Sequence, residues 1–280
     1  MNFKKGYKIK PKEVKPNGSV LFTDGTNDVI PNQVACEAYG YRYDTVNGTC
    51  YSFISTKQLG KQLTEPSNTK TGINNKTEKG TSRSIINGTL NTTKGFNENC
   101  LVSGKGNTVN NGMNNATAVG AYGKVLRQGE FVRGGGGSTA ANQTQSSVIM
   151  LTCNTTDNST TDMLVQGTAS SYINLQNNSI LGFEAYITRL ETGGSSGTAG
   201  LFSYRQIKGV IRTADNYGLT ITTYNSRVLG KDGVNGTAAF AEIGGARSGT
   251  VSIQVSDRNN VNNIWNATVY LHETKTNITF

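Results

Sequence analysis

The chain has 280 residues, of which 34 are glycine, 32 asparagine and 36 threonine, with one tryptophan and one histidine. Charged residues make up 16% and hydrophobic residues 35%, both below the usual range for globular domains. This composition excludes long charged helices and favours strands, turns and loops. A single histidine also excludes most imidazole chemistry, such as catalytic triads and multi-histidine zinc sites. We expect a β-rich structural or binding protein that is not an enzyme.

Charge is distributed unevenly along the chain. Residues 1–138 contain 18 Lys and Arg against 9 Asp and Glu, whereas residues 139–280 contain 9 of each. Six lysines form a basic arm at the start: Lys4, Lys5, Lys8, Lys10, Lys12 and Lys15. Such an arm can bind nucleic acid or an acidic protein surface, or it can be a solvated tail. We expect neither a membrane-spanning segment nor a secretory signal, because no apolar run is long enough.

Residues 1–56 are predicted to hold this arm and a small module. The stretch 31–39 predicts two helical turns, with Asn32 as the N-cap and Gly40 as the stop. Asn47 and Gly48, flanked by the tyrosine-containing stretches 41–44 and 50–53, predict a hairpin. A unit of this size is too small to be stable alone, so we expect it to dock on a partner.

The four cysteines stand at positions 36, 50, 100 and 153 and follow no metal-binding spacing. Cys36 and Cys50 flank the predicted helix and hairpin and could lie close together. We expect them to be buried free thiols in a chain made in a reducing cytosol, with a disulfide as the alternative. Four aspartates could bind calcium but lack EF-hand spacing, so no metal and no cofactor are predicted: Asp24, Asp28, Asp157 and Asp162.

Residues 57–83 are polar and predict a linker, whereas residues 84–138 predict a repetitive stem. Apolar residues recur there every six to ten positions, with Asn, Gly and Ser between them: Ile86, Phe96, Val102, Val109, Val119, Val125 and Val132. One strand and one turn cannot bury such a residue, but stacked units can bury the series along a shared axis. An ordinary run of loops with occasional core residues is the alternative. The glycines Gly134–Gly137 predict a hinge.

Residues 139–280 are predicted to be one globular β domain. Apolar and polar residues alternate clearly over residues 183–188, 251–256 and 265–272. Roughly seven to nine strands in this length fit a jelly-roll β-sandwich. Trp265 is the predicted centre of its core.

Several segments of this domain resemble the C-terminal β domain of bacteriophage virion fibre and tail-associated proteins. The resemblance lies in residues 145–157, 173–189, 209–212 and 264–274. The Gly- and Asn-rich stretch before it is similar to the stem that these proteins often carry. Cys36–Tyr41 together with Asn47–Cys50 resembles N-terminal segments in structural proteins of phages of Bacteroides-type hosts, the crAss-like phages among them. The resemblance covers about two thirds of the chain.

The resemblance implies a fibre on the virion surface, built as an intertwined homotrimer. Its N-terminal module would attach to a capsid or tail protein, and its C-terminal domain would meet the host surface or its glycans. The short stem favours a capsid-mounted head fibre, with a tail fibre or receptor-binding protein on the tail as the alternative. The residues expected to carry these roles are Lys4, Lys5, Lys8, Lys10, Lys12, Lys15, Tyr39 and Tyr41 for attachment; Val102, Val109, Val119 and Val125 for the trimer core; and Tyr172, Tyr204, Tyr217 and Tyr224 for glycan contact.

Two further functions are weaker alternatives on the residues. A polysaccharide-cleaving spike needs paired carboxylates, and most of the available acids stand in turn-like contexts: Asp157, Asp162, Asp215, Asp232, Glu242 and Asp257. Nucleic-acid binding would rest on the arm alone, because residues 139–280 carry no net charge and no RNA- or DNA-binding motif appears. We therefore expect neither hydrolysis nor a nucleic-acid partner. Six tyrosines could stack on a sugar, but for each of them the residues favour packing within the domain: Tyr172, Tyr186, Tyr204, Tyr217, Tyr224 and Tyr270.

Overall fold

A computed structural model of the chain describes residues 2–52, 68–137, 142–245 and 248–278. Strands dominate these ranges, so the all-β expectation is confirmed. The chain divides into two compact units, Met1–Ser67 and Asn68–Phe280. Among the described helices, none is long and apolar enough to cross a membrane.

The first unit combines a small antiparallel sheet, one short helix and a hairpin. Its elements are β1 (Lys10–Val14), β2 (Val20–Thr23), β3 (Asp28–Val29), α1 (Gln33–Ala38), β4 (Arg42–Asp44) and β5 (Thr49–Tyr51). The Asn32 side chain accepts the N–H of Ala35 at 2.8 Å and so caps the helix. Gly40 follows the helix with φ +81°, in the left-handed region that glycine tolerates. The predicted helix and hairpin are confirmed.

A disulfide joins Cys36 on α1 to Cys50 on β5, and the prediction of free thiols is wrong for this pair. Both cysteines are buried with Val20 and Phe22, which form the core of the unit. The cross-link stabilises a unit that is too small to bury a large core. Free thiols were expected from a reducing compartment, but a compartment says nothing about the distance between two cysteines, whose Cα atoms here are 5.7 Å apart.

The basic arm packs against this unit and is not a free tail. The Tyr39 hydroxyl donates to the carbonyl of Ile9 at 2.9 Å and accepts the N–H of Lys4 at 2.8 Å. Tyr39 and Tyr41 both lie edge-on to Phe22, so the two tyrosines predicted to attach the chain to a virion serve the unit's own packing. Of the predicted arm lysines, Lys12 pairs with Asp28, Lys10 lies over the ring of Phe3, and Lys5 and Lys8 are exposed.

Reducing the Cys36–Cys50 disulfide is expected to lower the free energy of unfolding of the first unit by roughly 3 kcal/mol. The bond closes a loop with a sequence separation of 14, and opening it restores conformational entropy to the unfolded chain. Amide exchange of residues 10–51 in the full chain, with and without reductant, measures the change. In the double variant Cys36→Ala/Cys50→Ala reductant should have no effect. Equal exchange in the oxidised and reduced wild type would contradict the prediction.

The second unit begins with a β-solenoid of about four turns. Each turn supplies one strand to a long parallel sheet and one to a short parallel sheet. The long-sheet strands are β6 (Thr69–Ile73), β8 (Ile85–Thr89), β10 (Leu101–Lys105), β12 (Thr117–Ala121) and β14 (Phe131–Gly136). The short-sheet strands are β7 (Lys76–Thr77), β9 (Thr92–Thr93), β11 (Thr108–Val109) and β13 (Lys124–Val125). Residues 68–83 of the expected linker form the first turn, and residues 57–67 lie outside the described ranges.

Stacked turns bury the apolar series as the sequence predicted, but inside a single chain. Val102, Val109 and Val125 are completely buried in the solenoid's own core, so they are not available for a contact between chains. Val119 lies on the outer face of the long sheet and is half-buried. Two ladders support the stack. In one, the side chain of Asn91 accepts the N–H of Asn107 at 2.9 Å, and in the other, glycines of successive turns pair in register on the long sheet.

Longer antiparallel strands continue the long sheet beyond the solenoid. They are β15 (Thr144–Thr155), β19 (Ser179–Gly193), β20 (Phe202–Thr213), β21 (Leu219–Lys231) and β24 (Asn262–Lys275), in the order β14–β15–β24–β19–β20–β21. A smaller sheet is built from β16 (Thr161–Asp162), β18 (Ile173–Asn174), β22 (Thr237–Glu242) and β23 (Thr250–Ser256). β17 (Leu164–Val165) pairs with β15, and a 3₁₀ turn (Asp215–Tyr217) precedes β21.

Alternation along the long strands decides which face is buried. Odd-numbered residues of β19 and β24, such as Phe183 and Trp265, point into the core against the smaller sheet, and Trp265 is 2% exposed, as predicted. The jelly-roll sandwich is not confirmed: one eleven-stranded sheet runs unbroken from the solenoid to β21. The predicted hinge is also wrong, because Gly134–Gly136 belong to β14 and pair with β15. Stem and head are therefore parts of one sheet.

Candidate functional site

The outer face of the long sheet carries a cluster of tyrosines. Tyr186 on β19, Tyr204 on β20 and Tyr270 on β24 are at even-numbered positions, opposite in direction to the buried residues. Antiparallel pairing places β20 and β24 on either side of β19, so Glu184 stands between Lys208 and Tyr270. Residues more than 80 positions apart in the sequence thereby meet on one surface.

Tyr186 lies at the centre of this cluster. Its ring is stacked beside that of Tyr204, with centroids 6.0 Å apart, and lies perpendicular to the ring of Tyr270 at 6.2 Å. Tyr270 is 43% exposed and Tyr204 is 36% exposed, so both present ring surface to solvent. Aromatic rings at these separations attract one another and hold a defined relative geometry.

Glu184 fixes the orientation of the central ring. The Tyr186 hydroxyl donates to Glu184 Oε1 at 2.6 Å, and the Gln206 side-chain amide donates to both groups, at 2.6 and 2.8 Å. Lys208 Nζ lies 2.9 Å from the same carboxylate. The hydrogen bond from Tyr186, followed by that from Lys208, lowers the pKa of Glu184, and the bond to Glu184 raises the pKa of Tyr186. Glu184 therefore stays ionised and Tyr186 keeps its proton.

The cluster lines an open groove of about 500 Å³, which we call the tyrosine groove. Its lining residues are Glu184, Tyr186, Tyr204, Thr268, Tyr270 and His272. A second depression of about 310 Å³, here called the arginine pocket, shares His272 with it. The arginine pocket is lined by Arg133, Gly134, Gly135, Thr144, Gln145, Ser146, His272, Glu273 and Thr274. The two depressions form one continuous surface across β14, β15, β24, β19 and β20.

The groove combines apolar ring surface with polar groups, and a sugar can use both. Aromatic rings offer flat apolar surface to the C–H face of a sugar, and the surrounding carboxylate, amide and hydroxyl groups can bond to its hydroxyls. Two carboxyl groups would be needed for the usual glycoside hydrolysis. Among the described residues that line the tyrosine groove, Glu184 is the one carboxylate, and it is already bonded to Tyr186 and Lys208.

The structure separates the tyrosines that were predicted to contact glycan. Tyr204 lines the groove, whereas Tyr172, Tyr217 and Tyr224 do not. Tyr224 is 74% exposed on β21, and Tyr217 lies in the 3₁₀ turn, where its N–H donates to Asn177. Tyr186 and Tyr270, which were not among the four tyrosines predicted to contact glycan, also line the groove. Alternation in the sequence does place both outward, and the missing information was which strands are neighbours.

The free cysteines offer no nucleophile. Burial raises the pKa of Cys153 to about 12, and Asp162 adds to the effect. Burial also raises the pKa of Cys100, which lies in the solenoid core. Both thiols therefore stay protonated near neutral pH and act as small packing residues.

Among solved structures, this chain is similar to several phage tailspikes. No protein-family model and no curated protein matches the chain. The Acinetobacter baumannii phage AM24 tailspike is 7% identical, with a TM-score of 0.27, over 73% of this chain and 48% of its own. The tailspike gp49 of Acinetobacter baumannii phage Fri1, described as a capsular polysaccharide depolymerase, is 12% identical, with a TM-score of 0.27. The match covers 72% of this chain and 36% of that tailspike. The Acinetobacter phage vB_ApiP_P1 tailspike is 8% identical, with a TM-score of 0.21. The match covers 74% of this chain and 49% of that tailspike.

This chain spans about half the length of these tailspikes or less. The expectation that it is not an enzyme is contradicted, because one of these neighbours is described as a depolymerase. The capsid head-fibre interpretation gains no support from these structures.

Proposed function

We propose that this chain is a host-recognition part of a phage appendage of the tail-fibre or tailspike kind, and that it binds surface polysaccharide in the tyrosine groove. The observation that carries the proposal is the cluster of Tyr186, Tyr204 and Tyr270 on a rigid sheet, with the central ring held by Glu184. Sites built on strands keep their side chains in place better than sites on loops. The groove is therefore organised before any ligand arrives.

The proposal includes assembly of the chain into a homotrimer on a virion and attachment through residues 1–56. The outer face of the solenoid supports an assembly, because Ile85 and Leu101 are adjacent on β8 and β10 and are both about half exposed. Exposed Lys5 and Lys8 of the first unit suit an acidic partner surface.

Replacing Tyr270 with alanine is expected to weaken polysaccharide binding by about 10-fold, because it removes an exposed ring that stacks on the sugar. Tyr270→Phe keeps the ring and should stay within about 3-fold of wild type. Tyr224→Ala is the matched control, since it removes an even more exposed tyrosine outside the groove. Binding is measured by biolayer interferometry on the strongest ligand from an array of bacterial capsular and O-antigen polysaccharides.

Two results would contradict the proposal. One is a wild-type protein that binds no polysaccharide on the array more strongly than dextran. The other is a loss in Tyr224→Ala as large as that in Tyr270→Ala. The competing function, cleavage of the bound polysaccharide, is tested on the same ligand by the release of new reducing ends. Release that persists in Tyr270→Ala would locate the cleaving site elsewhere on the chain.

A further inference from the structure

The arginine pocket adds positive charge at one end of the tyrosine groove. Arg133 on β14, Ser146 on β15 and His272 on β24 occupy one cross-strand row of the outer face. The next row holds Phe131, Val148 and Tyr270. Since neighbouring strands are spaced by roughly 4.8 Å, the backbones of Arg133 and His272 are roughly 10 Å apart, with the small Ser146 between them. A group the size of a sugar substituent fits this gap.

The guanidinium of Arg133 is not paired with a carboxylate of the described residues. Arg133 is exposed and, within the described ranges, makes no ion pair. The carboxylates that line the two depressions are already bonded: Glu184 of the tyrosine groove to Lys208, and Glu273 of the arginine pocket to Gln145, Gln176 and the guanidinium of Arg127. Because these carboxylates already have partners, the guanidinium of Arg133 can pair with an anion from outside the chain.

Further positive charge surrounds the far side of the pocket. Lys275 lines the adjoining depression with Gly135, Thr144 and Thr274. Burial lowers the pKa of Lys124, and the charges of Lys275 and Lys94 lower it further, while the charge of Glu273 acts in the opposite direction. The floor beside Arg133 consists of glycines and hydroxyl residues, which leave room for a ligand and supply hydrogen-bond donors.

We propose that the arginine pocket binds the carboxylate of an acidic sugar whose neighbouring ring stacks in the tyrosine groove. The ligand class is then a polysaccharide that contains uronic acid, with Arg133 as the residue that selects its charge. This inference rests on the proposed function and narrows it from polysaccharides in general to acidic ones. A planar guanidinium binds a carboxylate through two parallel hydrogen bonds, which gives direction as well as attraction.

The test uses one polysaccharide in two forms. The strongest acidic ligand from the array is compared with the same polymer after its carboxyl groups have been reduced to alcohols. Arg133→Gln is expected to bind the native polymer about 10-fold more weakly than wild type and to bind the reduced polymer as wild type does. Lys231→Gln is the matched control, because it removes one exposed positive charge on β21, outside both depressions. It should change affinity by less than about 2-fold.

Three outcomes would overturn the inference and leave the proposed function standing, provided that Tyr270→Ala still loses binding. The strongest ligands could be neutral, Arg133→Gln could bind the native polymer like wild type, or its loss could persist on the reduced polymer. The third outcome assigns the anion to a phosphate or sulfate group, which carboxyl reduction leaves in place. If wild type binds no polysaccharide, the proposed function itself fails. Thermal unfolding of each variant confirms that these surface changes leave the fold intact.

Discussion

Replacing Gly104 with alanine is expected to lower the free energy of unfolding of the second unit by at least about 4 kcal/mol. Gly104 lies on β10 with φ +116°, a conformation that residues with a side chain rarely adopt. A Cβ atom there would lie 2.0 Å from the backbone oxygen of Gly120 on the next turn. That oxygen belongs to a ladder of parallel strands and cannot move away alone. The two turns would have to separate.

Gly112→Ala separates backbone strain from this clash. Gly112 also has a positive φ, of +75°, but no atom lies within 4 Å of the position its Cβ would take. It should therefore cost only the strain of a left-handed backbone, about 1 kcal/mol. Urea unfolding followed by circular dichroism measures both variants. Equal losses in Gly104→Ala and Gly112→Ala would show that the close approach of the glycine ladder does not matter for stability.

The same ladder shows what the sequence could have revealed about the solenoid. Gly72, Gly88, Gly104 and Gly120 recur at intervals of 16 residues and pair in register on the long sheet. The apolar series gave a less regular spacing because each turn contributes core residues from two sheets. Val102 and Val109 are 7 residues apart within one turn, whereas Val109 and Ala118 are 9 apart across the next corner. The glycine spacing therefore carries the 16-residue period, whereas the second strand of each turn shows only in the apolar series.

The groove could be predicted only in part, for a different reason. Alternation placed Tyr186 and Tyr270 on outward faces and Trp265 in the core, and the structure confirms those directions. Which strands are neighbours is a property of the whole sheet. β24, at the end of the chain, inserts between β15 and β19, and this pairing alone brings Tyr270 beside Glu184. Local patterns carry no information about such long-range pairing.

A cluster of buried ion pairs lies where the solenoid meets the longer strands. We expect the second unit to depend on this cluster for its stability. The guanidinium of Arg127 lies 2.5 Å from Glu130 Oε1 and 3.7 Å from Glu273 Oε2, and all three side chains are almost completely buried. Arg127 also donates to the carbonyl of Asn174 at 2.6 and 2.9 Å. The cluster thus ties the last turn to β18 and β24.

Arg127→Met is expected to lower the free energy of unfolding by about 4 kcal/mol, because it leaves two carboxylates buried without their cation. Adding Glu130→Gln to this variant removes one of the unpaired charges and should recover part of the loss. Arg83→Met is the matched control, since the Arg83–Glu98 pair is exposed to solvent, with side-chain exposures of 59% and 45%. Its removal should change stability by less than about 1 kcal/mol.

Urea unfolding of the four proteins gives the comparison directly. If Arg127→Met were as stable as Arg83→Met, the buried cluster would not hold the junction together. If the double variant were no more stable than Arg127→Met, the loss would come from the packing of the arginine and its bonds to Asn174, and not from the orphaned charges. The expected order is therefore wild type and Arg83→Met highest, the double variant intermediate, and Arg127→Met lowest, because a buried carboxylate without a cation costs more than a neutral amide in its place.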